Sequence, residues 1–160
     1  MKLIREMLPK DNPKMKLILQ KCLRDAGLDK PGTAYFDPQL DELAQYYQQL
    51  PRAKYWVAVD HQDQVIGGCG IGPVESTEDI CELQKLYIDP IGRGQGLSKQ
   101  FIKLSMQAAK DLNYKQMYIV TDTKLPIANK LYQKLNFKSL DVPLDGGIHS
   151  GCDTWYLKSL

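Results

Sequence analysis

The run Leu86-Tyr87-Ile88-Asp89-Pro90-Ile91-Gly92-Arg93-Gly94-Gln95-Gly96-Leu97-Ser98-Lys99 constrains what this chain can fold into more than any other segment. An apolar stretch with strand character stops at Asp-Pro, a glycine-rich turn follows, and a helix with regularly spaced apolar residues opens behind it. Glycines at such a junction leave main-chain N–H groups unshielded by side chains, and the helix start adds about half a positive charge. Strand, turn and helix together make a socket for an anion such as a pyrophosphate.

Three kinds of glycine-rich phosphate loop compete for this segment. A Walker loop requires Gly-x-x-x-x-Gly-Lys-Ser/Thr, and no such string exists in the chain, which disfavours a nucleotide-binding P-loop protein. The dinucleotide fingerprint Gly-x-Gly-x-x-Gly fails because Gly92, Gly94 and Gly96 alternate evenly. Arg93-Gly94-Gln95-Gly96-Leu97-Ser98 instead resembles Arg/Gln-x-x-Gly-x-Gly/Ala, the loop that grips the coenzyme A pyrophosphate in the GNAT N-acetyltransferase superfamily, with Ser98 as the last small residue. Downstream, Ile127-Ala128-Asn129-Lys130-Leu131-Tyr132-Gln133-Lys134-Leu135-Asn136-Phe137 resembles the second signature of that superfamily, Ala-x-x-Leu-Tyr-x-x-x-Gly-Phe. Asn136 stands where the glycine is usual, and asparagine tolerates the left-handed conformation that ends a helix. The resemblance covers residues 54 to 140 well and the N-terminal third in outline.

Size and composition fit that likeness. The 160 residues read as one domain, 1–160, large enough for a substantial core. A formal net charge of +2 supplies no strong field toward nucleic acid or an anionic membrane. No apolar run approaches the ~20 residues of a transmembrane helix, and the charged N-terminus is unlike a signal peptide. Cys22, Cys69, Cys81 and Cys152 are widely separated, which argues against a zinc site or a disulfide scaffold. They read as small buried hydrophobes in a reducing, cytoplasmic setting, with no metal expected.

Along the chain, Lys2 to Leu8 reads as a strand, and Asp11-Asn12-Pro13 starts a helix that runs to Gly27. The loop from Asp29 to Asp37 holds the aromatic pair Tyr35-Phe36, a hint of an apolar wall, and a second helix spans Pro38 to Leu50. Strands are expected at 54–59, 64–71, 80–88, 115–120, 137–140 and 154–157. Gly67-Gly68-Cys69-Gly70 points to a bulge or a close backbone approach within the second of these. A helix from about Gly94 to Leu112 should bury Leu97, Phe101, Leu104 and Ala108, and another runs from about Lys124 to Leu135 with Asp122 or Thr123 as its cap. Strands and helices mingle without strict alternation, so the fold class is α/β or α+β with a mixed central sheet. The resemblance implies the GNAT acyl-CoA N-acyltransferase fold, a mostly antiparallel mixed sheet flanked by helices. In it the strands at 80–88 and 115–120 run parallel and splay apart to admit the pantetheine arm.

What the resemblance implies about chemistry is acetyl transfer from acetyl-CoA, the cosubstrate, to a primary amine of a small molecule or protein. The main-chain amides of Gly94, Gln95, Gly96, Leu97, Ser98 and Lys99 would hold the phosphates, flanked by the charge of Arg93. Leu86, Tyr87 and Ile88 would pair through their main chain with pantetheine and the thioester carbonyl. Tyr132 matches the tyrosine that protonates the departing thiolate, as a phenol of pKa near 10 can at neutral pH. The asparagine usual seven residues before that tyrosine is Leu125 here, and Asn129 faces elsewhere by count. A base is needed because deprotonating a lysine-like amine near pH 7 costs roughly 4–5 kcal/mol. Two residues offer themselves: Glu82, at the offset of the base in some histone acetyltransferases, and His149, in the glycine-rich connection 145–153. Glu82 lies ~13 Å from Leu86 along a straight strand, so it needs a bulge, a water relay or a far-reaching amine. Asp153 would attract an amine or cap a turn. A non-catalytic acyl-CoA-binding sensor or interaction module is the alternative function, and pairing into a homodimer through edge strands is known among such folds.

Overall fold

The computed structural model describes residues 3–144 and 150–160. Seven strands form one sheet in the order β1-β2-β3-β4-β5-β7-β6. They are β1 (Leu3–Glu6), β2 (Lys54–Val59), β3 (Val65–Val74), β4 (Thr77–Ile88), β5 (Gln116–Thr121), β6 (Lys138–Leu140) and β7 (Thr154–Ser159). Only β4 and β5 pair in parallel, through the crossover helix α3 (Leu97–Asp111); every other neighbour is antiparallel. This is the mixed, mostly antiparallel sheet expected from the sequence.

Helices α1 (Asn12–Asp25) and α2 (Leu43–Gln49) cover one face, and α3 and α4 (Pro126–Lys134) cover the other. The sheet is therefore buried on both sides, and alternate side chains feed two cores. Tyr55, Val57 and Val59 of β2 join Met15, Ile18 and Leu19 of α1, while Trp56 and Ala58 join Phe101 and Ile102 of α3.

Several local expectations shift. The second helix is shorter than 38–50: a 3-10 turn at Leu40–Glu42 precedes α2. On α3, Leu97 and Phe101 are buried as expected, but Ile102, Ser105 and Ala109 complete the stripe, leaving Leu104 and Ala108 half-buried. Neither Asp122 nor Thr123 caps α4, which starts after Leu125 without a side-chain cap. Asp122 accepts from the Lys124 N–H at 3.0 Å, and Thr123 donates its hydroxyl to Asp153 at 2.9 Å, so both shape the turn before the helix. The carboxylate of Asp11 likewise turns away from α1, accepting from the Leu8 N–H and from Arg5. Asn136 ends α4 at φ 67, as its place in the second signature requires.

Candidate active site

The parallel register of β4 and β5 runs from Ile80↔Gln116 to Leu83↔Ile119 and stops there. Beyond it β4 continues to Ile88 with only β3 beside it, and β5 continues to Thr121 with only β7. The main chain of Leu86–Ile88 thus has no strand partner on its β5 side, and a wedge opens between the two strands.

The wedge leads to the mouth of α3. Gly94 and Gly96 adopt φ 76 and 75, the left-handed region that glycine enters without steric cost. A β-carbon on either would meet nothing within 4 Å, so it is the turn and not crowding that requires glycine there. Gly92 differs: it is buried, and a β-carbon would press against the Ile66 carbonyl at 3.2 Å. The first main-chain bond of the helix runs from the Gln100 N–H to the Gly96 carbonyl. Among the described residues the N–H groups of Gly94, Gly96, Leu97, Ser98 and Lys99 donate to no protein acceptor. Five outward amides at a positive helix end fit the pyrophosphate of acetyl-CoA. Arg93 donates through Nε to the Ile88 carbonyl at 3.1 Å and lies 3.5 Å from the Cys22 thiol, which keeps its charge beside this socket. Lys99 is exposed in the first turn of α3.

Tyr132 is the one buried residue of α4, packed against Tyr156 and Phe137 at ring-centroid distances of 5.6 and 6.1 Å. Burial pushes its phenol above the ordinary value, so it holds its proton through the neutral range. Burial likewise raises Tyr87, which lies within electrostatic reach of Cys152, Tyr132, Cys22 and Asp37. Tyr87 packs against the core on the α1/α2 side of the sheet.

Glu82 stands on the α1/α2 face of central β4, opposite Tyr118 of β5. It is half-buried, not a carboxylate on a sheet edge. Gln84 donates to it at 3.2 Å and accepts from the Tyr47 hydroxyl at 2.5 Å. Tyr46, Tyr47, Tyr118 and Cys152 all feel its charge. A bulge, one of the three routes by which Glu82 would reach the site, is present: between Gly68 and Gly70 the partner on β4 jumps from Tyr87 to Gln84, and Lys85 takes φ 51. After this slip Ile88 faces the same core as Cys81 and Leu83 despite its opposite parity. The close approach expected at the β3 glycines is also found, since a β-carbon at Gly70 would stand 2.4 Å from the Tyr55 ring.

His149 lies outside the described residues. Asp153 accepts from the Thr123 N–H and hydroxyl and from Thr154, with its carboxyl held below the ordinary value chiefly by the Thr123 amide, so it shapes the turn. Leu125, at the position of the usual asparagine, packs among apolar side chains on the α1 side. Asn129 donates to the carbonyls of Asp122 and Leu125 and accepts from the Tyr156 hydroxyl, so it fastens the β5–α4 turn instead of facing the wedge. Tyr47, Gln84, Tyr118 and Cys152 carried no sequence signal of their own. Cys22, Cys69 and Cys81 are buried free thiols, and burial pushes Cys69 up to about 12. Among the described residues no cluster of His, Cys, Asp or Glu is placed to hold a metal ion, and no helix is long and apolar enough to cross a membrane.

This geometry agrees with known proteins. The model of the acetyltransferase (GNAT) family matches residues 19–137. The chain belongs to the GNAT family. A relative in Escherichia coli K12 named "Uncharacterized N-acetyltransferase YjgM" is 38% identical over 160 residues, covering 98% of this chain and 94% of that protein. Among solved structures, a GNAT acetyltransferase of Staphylococcus aureus superposes with a TM-score of 0.86 over 100% of this chain and 99% of its own, at 16% identity. A phosphinothricin acetyltransferase of Sinorhizobium meliloti in complex with acetyl-CoA superposes with a TM-score of 0.77, at 20% identity, over 99% and 88% of the two chains. This GNAT protein is an acetyl-CoA-dependent N-acetyltransferase.

Proposed function

We propose that this acetyltransferase acts, as a single domain spanning 1–160, on the primary amine of a small molecule or protein, with the two ends of the wedge doing separate work. The observation that carries this reading is the row of unbonded amides at Gly94 and Gly96–Lys99, opening beside the unpaired edge of β4. Acetyl-CoA supplies an activated acyl group when bound. The amides of residues 94–99 hold its phosphates, with Arg93 as the flanking charge. The main chain of Leu86, Tyr87 and Ile88 binds the pantetheine arm and aims an N–H at the thioester carbonyl, a contact worth a few kcal/mol as charge develops on that oxygen.

Glu82 takes the proton of the amine as its nitrogen bonds to the acyl carbon. Tyr132 gives its own proton to the sulfur as the carbon–sulfur bond breaks, and solvent restores both groups. The half-buried position of Glu82 opposite Tyr118, with Gln84 donating to one of its oxygens, supports it as the base. His149 is the second reading, since the same connection carries Cys152, whose thiol senses both Glu82 and Asp122. Free cysteines throughout favour a cytoplasmic setting, and β1 and β6, at the two ends of the sheet, offer the edges through which a homodimer would form.

The test is thiol release from acetyl-CoA against a panel of amino acids, polyamines, aminoglycosides and peptide N-termini. At least one class should accelerate release well above hydrolysis. Cofactor binding without acceleration by any amine would instead favour the sensor module.

A further inference from the structure

Lys85 is a left-handed lysine inside a sheet, φ 51, at the bulge where β4 slips against β3. A residue with a β-carbon resists that conformation, and a buried ammonium group resists losing water, so the surroundings must over-determine both. Contacts from separate segments converge on it. Tyr55 of β2 lies flat across β3, where Gly68 and Gly70 leave room for its ring. Its hydroxyl donates to the Lys85 carbonyl at 2.7 Å. The Lys85 ammonium reaches Asp37 at 2.7 Å, with side-chain exposures of only 3% and 9%. Asp37 directly follows the aromatic turn Ala34–Phe36 of the α1–α2 connection. That connection is itself tied across the wedge, by the Gly151 N–H to the Gly32 carbonyl at 2.8 Å and by Lys124 to the Gly27 carbonyl.

We propose that Tyr55 and the Asp37–Lys85 pair form a brace that holds the β4 bulge, positioning the Leu86–Ile88 main chain for the thioester and coupling it to the acceptor-side connection. Tyr55, Lys85 and Asp37 are positioning residues, since each acts through the strand. The proposal rests on the reading that Leu86–Ile88 meets the thioester arm. The amides of the phosphate socket belong to the start of α3 and meet the braced strand through the Arg93–Ile88 bond.

The experiment is amide hydrogen exchange on the full chain, comparing peptides 84–89 and 94–100 with and without acetyl-CoA. Tyr55→Phe removes one hydroxyl and no charge; Asp37→Asn with Lys85→Met removes both charges together, avoiding an unpaired buried ion. In the free protein both variants should exchange at 84–89 at least tenfold faster, with the β2 and β5 peptides unchanged. With acetyl-CoA both should still gain protection at 94–100 while losing most of it at 84–89, and kcat should fall about tenfold with the acetyl-CoA Kd within threefold. Unchanged exchange at 84–89 in both variants overturns the brace, as does loosening spread evenly over the whole sheet. If acetyl-CoA protects neither peptide in the parent protein, the cofactor reading fails, while free-protein exchange still decides the brace.

Discussion

The two ends of the wedge are built by opposite means. At the end proposed for the phosphates, the amides of Gly94 and Gly96–Lys99 lie on one short segment, placed by two left-handed glycines and the start of one helix. At the acceptor end side chains gather from distant segments: Glu82 and Gln84 from β4, Tyr47 from α2, Tyr118 from β5 and Cys152 from the connection before β7. On the proposed reading the first end meets a group shared by every acyl-CoA, which backbone geometry suffices to hold, and the second meets the amine, where side chains set the choice. Cofactor affinity and acceptor turnover should then be separable by mutation.

The largest effect should come from the thiolate acid. Tyr132→Phe should lower kcat about 100-fold and leave the acetyl-CoA KM within about threefold, since a positioned proton donor contributes roughly 10²–10⁴ in rate. Steady-state kinetics decide it, and an unchanged kcat removes the role. Glu82→Gln should cost about tenfold or more at neutral pH and flatten the acidic limb of the pH–rate profile. If His149→Ala flattens that limb instead, the histidine is the base. At the phosphate end, Gly96→Val puts a β-branched residue at φ 75, at a cost of about 2 kcal/mol or roughly thirtyfold in coenzyme A affinity, with the acceptor KM unchanged. Gly32→Ala is its counterpart. Its β-carbon would stand 2.5 Å from the Gly151 amide, so the acceptor KM should rise several-fold while calorimetric coenzyme A affinity holds.

The smallest effect concerns pH. Tyr47, Tyr55, Tyr87 and Tyr132 are all raised above the usual phenol value by burial. In the unfolded chain they lose protons near pH 10, so the unfolded state then binds fewer protons and folding stability falls as pH rises beyond about 10. Thermal unfolding followed from pH 8 upward should show a Tm that is nearly level until pH approaches about 10 and falls beyond it, less steeply in Tyr132→Phe.

The same contrast explains what was legible in the sequence. The glycine turn that opens α3 was readable because its information is local: a strand, alternating glycines and a helix start are contiguous. Tyr132 and Asn136 were readable for the same reason, lying within one helix and its end. The β3 glycines announced a close approach but not its occupant, Tyr55, which comes from a neighbouring strand. The brace left no trace, since Asp37, Tyr55 and Lys85 are far apart in the chain and lysine gives no hint of a left-handed conformation. Helical count turns Asn129 away from the wedge. Its actual duty, closing the β5–α4 turn and receiving the Tyr156 hydroxyl, is a tertiary contact that no periodicity encodes.

The most direct measurement is titration calorimetry of coenzyme A and of pantetheine, which lacks the pyrophosphate, into the parent protein and into Gly96→Val. Saturable heat with coenzyme A, at least tenfold weaker binding of pantetheine, and loss of most of that difference in Gly96→Val are the expected results. Equal affinity for the two ligands, or a Gly96→Val protein that binds coenzyme A as tightly as the parent, would contradict a diphosphate held by the open amides of α3.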